Sequence, residues 1–287
     1  MGKEAAMKKH LSTIILVFIL LLGIGILLYP TVSDYWNTYH QSKAIANYLE
    51  TINSMDPVDY QEEWDRATEY NETLPGKPNR FGIGDKPEEM EVYNSLLNVA
   101  GTGIMGYIEV PRISCQLPIY HGTDDAVLQI AIGHIEGSSL PTGGPGVHVV
   151  LSGHRGLPSA KLFTDLDKME LGDLFVIRVL DRIMTYEVDQ IKIVLPTELE
   201  DLAIDPKEDL CTLVTCTPYG INTHRLLVRG HRTENVEMEQ MIKVTNDATQ
   251  IDPVIVAPAI AVPILLLLIL GMMIVTGHKK RKRKRSL

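Results

Sequence analysis

Two long apolar runs frame the chain. Leu11 to Tyr29 follows Lys3, Lys8 and Lys9, and Val254 to Thr276 precedes Lys279-Lys-Arg-Lys-Arg-Lys-Arg285. A helix rises about 1.5 Å per residue and needs ~20 residues to cross a ~30 Å hydrocarbon core, so both runs predict membrane-spanning helices. Pro258 and Pro263 fall in the first half of the second run, where a kink is tolerated. After the first run, Ser33 to Asn53 predicts a helix with a partial apolar stripe of Tyr35, Tyr39, Ile45, Tyr48 and Leu49. Val58 to Tyr70 predicts a second helix behind Asp56-Pro57. Leu74 to Pro87 holds three Pro and three Gly and reads as a long loop.

From Met105 the pattern becomes short, alternating and β-branched. Strands are predicted at 106–111, 113–119, 147–152, 173–180, 183–188, 191–194, 210–215 and 225–230, with short helices at 126–132 and 160–166. About eight short strands with few helices predict a mainly β protein closed into a barrel, which removes exposed edges. Glu234 to about residue 253 is polar and reads as a stalk to the second span.

Charge sharpens the topology. The tail 279–285 carries seven positive charges and residues 1–10 a net two; with an overall net charge of −9, residues 11–278 carry −18. Both basic flanks lie on the terminal sides of the spans. The positive-inside rule therefore places both termini in the cytoplasm and residues 30–253 outside. An acidic outer domain disfavours polyanions, so nucleic acid is not an expected partner, and the basic tail reads as a topology anchor. Tyr29-Pro30-Thr31-Val32-Ser33 offers no small-x-small cleavage site, so the first run reads as an uncleaved anchor.

The candidate chemistry sits in Thr212-Leu-Val-Thr-Cys-Thr-Pro-Tyr-Gly220. Three cysteines in an exported chain make no disulfide framework. Cys115 and Cys211 are expected to be buried small hydrophobes, which leaves the thiol of Cys216 at the end of a strand. Arg225 begins the next strand, and His154 follows a strand in Leu151-Ser-Gly-His-Arg-Gly156. Attack requires a thiolate, and a free thiol ionises only near pH ~8.5, so a nearby imidazole or cation is needed. His154 competes with His121, His134, His148, His224 and His231; Arg225 competes with Arg229 and Arg232. The scattered His residues and lone Cys pair lack metal-ligand spacing, and no cofactor is expected.

These motifs, together with His121-Gly-Thr-Asp-Asp125, Gly133-His-Ile-Glu-Gly-Ser-Ser-Leu-Pro141 and Leu162-Phe-Thr-Asp-Leu166, resemble the sortases of Gram-positive bacteria, and best their class C, pilus-assembling branch. The resemblance runs from about Asn98 to Arg232. It implies an eight-stranded barrel and a cysteine transpeptidase with Cys216 as nucleophile, His154 as acid and base, and Arg225 as oxyanion and backbone holder. It implies partners bearing a Leu-Pro-x-Thr-Gly-like sorting signal, either pilins joined through a Lys isopeptide bond or surface proteins joined to peptidoglycan. It also implies a membrane location with the catalytic domain outside. The order His, Cys, Arg differs from papain-like proteases, which run Cys before His. A hydrolase that releases surface proteins and a non-catalytic pilin-binding domain are the other readings. Class C sortases cover the cleft with a lid bearing an Asp-Pro-aromatic plug. Here Asp56-Pro57 is followed by Val58, and Asp85-Lys86-Pro87 has an insertion, so a lid is expected within 74–94 without an assigned plug.

Overall fold

The computed structural model describes residues 2–77, 80–81 and 86–235. The second apolar run, the basic tail and nearly all of the stalk lie outside the described residues. The described chain falls into two units, one before Asp34 and one from Asp34 onward. In the first, helix α1 (Gly2–Asn53) begins; its apolar stretch has mean hydropathy 2.6, none of it buried, and is long enough to span a membrane.

The second unit is a closed eight-stranded barrel. Its strands are β1 (Ile104–Val110), β2 (Cys115–His121), β3 (Ile132–His134), β4 (Val147–Ser152), β5 (Leu174–Val179), β6 (Arg182–Val194), β7 (Asp209–Thr217) and β8 (His224–Thr233). They close in the order β1-β2-β3-β4-β7-β8-β6-β5. The β2–β3 and β4–β7 pairs are parallel and the rest antiparallel.

Several boundaries differ from the sequence expectation, each for a physical reason. The strands expected at 183–188 and 191–194 are one strand, β6, in which a bulge at Asp189 shifts the register between Val188 and Gln190. The helix expected at 126–132 is α4 (Asp125–Leu128), because Ile132 pairs with Ile119 in the sheet. No helix forms at 160–166: Leu162 takes φ +38°, and Ala160, Leu162, Phe163 and Leu166 instead fold into turns that bury against the core. The expected loop 74–94 contains the start of α3 (Pro87–Ser95).

The N-terminal helices are part of the domain rather than a spacer. From α1, the Tyr48 hydroxyl donates to the Met105 carbonyl at 2.8 Å and accepts from the Leu180 amide at 3.0 Å. α2 (Pro57–Glu72) is capped by Asp56, whose carboxylate accepts from the Val58 amide. From α2, the Trp64 indole donates to Asp181 at 2.8 Å, Arg182 stacks over its ring, and the Asn71 amide bonds both the amide and the carbonyl of Leu140. The Tyr48 bond to Met105 ties α1 to β1, a strand buried at every position.

Candidate active site

Two strand registers position the three candidate residues. β7 and β8 pair antiparallel with Cys216 directly across from Arg225. Residues directly opposite share a face, with Cβ atoms about 5 Å apart. β4 runs parallel to β7, and the last register pair is Ser152 with Val214. The Gly153 amide then donates to the Val214 carbonyl at 3.0 Å, and the Thr215 hydroxyl donates to the Gly153 carbonyl at 2.7 Å. His154 follows two residues beyond that last pair, at the end of the barrel where β7 reaches Cys216. The three lie at one end of three adjacent strands, each half-buried.

Strand alternation sets which way the thiol faces. Cys211 and Leu213 of β7 belong to the barrel core, whereas Val214 belongs to a second apolar cluster with Val150, Val194, Leu202 and Leu227. Cys216, two residues from Val214, shares the outward face. Thr215 is 1% exposed and points inward, so it supports the site from behind. Gly153 admits no side chain: an added Cβ would meet Phe163 Cδ2 at 2.7 Å and Ile132 Cγ2 at 2.9 Å. Thr215 on one side and the packed Phe163 on the other thus pin the backbone immediately before His154.

The competing residues are engaged elsewhere. Burial lowers His134 to about 4; its Nδ1 lies 2.8 Å from the Tyr93 hydroxyl and its Nε2 2.9 Å from the Ser139 carbonyl. Burial also lowers His148 to about 4, with Nδ1 2.7 Å from the Ala203 carbonyl and Nε2 2.8 Å from the Thr212 hydroxyl. His121 holds the Gly103 and Leu96 carbonyls. His224 pairs with Thr217 in the register, on the face opposite Cys216. Arg229 grips Asp189 with two hydrogen bonds, at 3.0 and 2.9 Å. Arg232 bonds the carbonyls of Thr185, Thr233 and Ile183. Arg225 contacts only the nearby Asn222 and His224 carbonyls and, among the described residues, forms no ion pair.

The other cysteines are poor nucleophiles. Cys211 is fully buried, and burial raises its thiol well above the usual range. Cys115, expected to be buried, keeps part of its surface exposed at the start of β2. Its sulfur is nevertheless enclosed, donates to the Leu162 carbonyl, and is pushed up to about 12 by burial.

Two features went unread in the sequence. Arg155 forms an ion pair with Asp167 and reaches the Thr217 hydroxyl at 3.5 Å, tying the His154 loop to the Cys216 strand. Its position beside His154 was the available signal. Arg80 and Phe81, the described part of the expected lid's middle, lie against the outward face. Phe81 packs on the Val214 cluster beneath the Arg80 guanidinium, which donates to the carbonyls of Gly137 and Leu202.

A sortase-domain model matches residues 108–233. A solved structure of sortase C1 from Streptococcus agalactiae shares 49% identity at TM-score 0.63, covering 68% of this chain and 100% of that one. Sortase C from Streptococcus pneumoniae, whose structure is described for catalysis and pilin substrate specificity, shares 41% at TM-score 0.59, covering 68% and 98%. A lid mutant of sortase A from Corynebacterium diphtheriae shares 39% at TM-score 0.59, covering 64% and 98%. Among curated proteins, sortase D of Bacillus subtilis is 30% identical over 130 residues; the match spans 44% of this chain and 63% of that relative's length. With identity of this order running the whole length of a sortase C1 domain, this chain belongs to the sortase family, on its class C branch.

Proposed function

We propose that the protein is a membrane-anchored cysteine transpeptidase that cleaves a Leu-Pro-x-Thr-Gly-like sorting signal between Thr and Gly and joins the acyl fragment to a pilin Lys. The observation that supports the reading is the register that pairs Arg225 with Cys216, with His154 two residues past the last β4–β7 pair, Ser152 with Val214. The Cys216 thiolate attacks the Thr carbonyl, and Arg225 donates to the oxyanion; such a donor is typically worth ~3–4 kcal/mol. The C–N bond breaks as His154 gives its proton to the departing Gly amine, leaving a thioacyl-enzyme. A Lys amine then attacks the thioester and passes a proton to His154, and Cys216 leaves as thiolate.

The apolar outer face beside the thiol, built from Val150, Val194, Leu202, Val214 and Leu227, suits the Leu-Pro part of the signal. The Arg80-Phe81 segment then acts as part of a lid that yields to substrate. A membrane location with the catalytic domain outside follows from the two apolar runs and their basic flanks. Tethering enzyme and pilins in one membrane raises their effective concentration and favours repeated transfer.

Attachment to cell-wall peptide amines is the second reading, since the same thioacyl-enzyme could be resolved by either amine. The two separate when full-length protein in vesicles is offered a sorting-signal peptide with either a Lys-bearing pilin domain or a peptidoglycan cross-bridge amine. Pilin-linked product is expected. Product formed only with the cross-bridge amine would overturn the pilin assignment.

A further inference from the structure

Helix α1 has two faces of different character. Asp34, Asn37, Gln41, Ile45, Tyr48 and Ile52 recur at three- and four-residue steps and form the docked face. Asp34 accepts from the Lys161 amide at 2.7 Å, Asn37 donates to the Ser159 carbonyl at 2.7 Å, and Gln41 donates to the Ile130 carbonyl at 2.6 Å. Ile45, Tyr48 and Ile52 continue this stripe into the core. The sequence expectation put Tyr35 and Tyr39 in that stripe, and the structure corrects it. At 100° per residue they fall on the far side of the helix with Trp36. Tyr35 is 76%, Trp36 64% and Tyr39 58% exposed.

Three aromatic rings in one and a half turns need a reason to face outward. No charged residue lies between Lys9 and Asp34. A ~30 Å core taken up by ~20 residues of that stretch ends near Val32. Tyr35, Trp36 and Tyr39 follow within ~5–10 Å along the helix, about the depth of the headgroup layer. Tyr and Trp favour that layer because the ring body is apolar and the O–H or N–H stays wet. Lys43, exposed on the same face, suits anionic headgroups. A packed protein partner would not require a polar tip on every ring.

We propose that the α1 face bearing Tyr35, Trp36 and Tyr39 lies in the lipid headgroup layer. The opposite face of the same helix segment holds Ser159 and Lys161, five and seven residues past His154. The helix turn proposed to meet the headgroups is therefore bonded, on its other face, to the loop that follows His154. This suits an acyl donor held in the same membrane, a clause that rests on the proposed transpeptidase reading; the lipid contact itself does not.

The test is depth-dependent quenching of Trp36 in the full chain, reconstituted in phosphatidylcholine–phosphatidylglycerol vesicles. The chain has two tryptophans, and Trp64 is 2% exposed. The difference between the native chain and Trp36→Phe therefore isolates Trp36; Trp36→Tyr repeats the subtraction if Phe perturbs the fold. Expected is strongest quenching by lipid brominated near the headgroup, weaker by deep bromination, and weakest by aqueous iodide. Quenching by iodide alone would overturn the proposal by showing a solvated face. Protection from all three would overturn it by showing a protein cover.

Discussion

Thr215→Val isolates the support behind the site. The Thr215 hydroxyl donates 2.7 Å to the Gly153 carbonyl, at a residue 1% exposed and facing the barrel interior. Valine keeps the volume but removes the donor, so a buried carbonyl loses its partner at a cost of ~1–3 kcal/mol. For a domain of this size that lowers the melting temperature by about 2–4 °C per kcal/mol. The catalytic consequence is separate. Two bonds tie the Gly153 backbone to β7, and the substitution leaves only the Gly153 amide to Val214. A displacement of His154 by ~1 Å is enough to cost on the order of 100-fold in rate. Thr215 does not share the outward face of Cys216, so kcat is expected to fall while KM holds. The assay is thioacylation by a sorting-signal peptide, followed by quenched mass spectrometry beside thermal unfolding, with Thr215→Ser restoring both. A Thr215→Val protein that melts lower but acylates at the native rate would refute the claim that this bond positions the histidine.

Gly153→Ala is expected to do more harm than a Gly to Ala change usually does, because the new methyl meets Phe163 and Ile132; overpacking of ~1–3 kcal/mol should appear in urea unfolding, with acylation lost in parallel. Arg225→Ala should reduce acylation by roughly 100- to 1000-fold. Arg229→Ala, which breaks a partly exposed pair with Asp189, should leave acylation unchanged and cost at most ~1 kcal/mol in unfolding; equal losses for the two would contradict the assignment. His134 and His148 are held neutral at about 4, below their unfolded value of ~6.5, so the unfolded chain takes up protons first as pH falls. The stability present above pH ~6.5 is lost toward pH ~4, by up to about 3 kcal/mol per histidine. Calorimetry across that window should show a falling melting temperature whose slope lessens in His148→Gln; a flat profile would contradict it.

Seven of the eight strands were legible because they carry local signals: β-branched residues, alternation and turn punctuation; β3, three residues long, carries too few to show. The Cys216–Arg225 pairing was equally local, since a short turn joins β7 to β8. The arrival of His154 at that end of the barrel was not, because it depends on β4 and β7 pairing in parallel across some 60 residues of chain. Asp189 looked like a break between strands, and only the register with β8 reveals a bulge. Tyr35 and Tyr39 fit a partial apolar stripe by their spacing in the sequence, yet both face outward. The three polar side chains of Asp34, Asn37 and Gln41, bonded to loop backbone, instead decide which face of α1 docks.

The central claim is that Cys216 carries the acyl group. Incubate the full-length protein in vesicles with a Leu-Pro-x-Thr-Gly peptide, trap with acid, and map the adduct by mass. One thioester is expected, on Cys216, absent in Cys216→Ala and lost on adding a Lys-bearing pilin domain. An adduct on Cys115, or peptide cleavage that persists in Cys216→Ala, would contradict it.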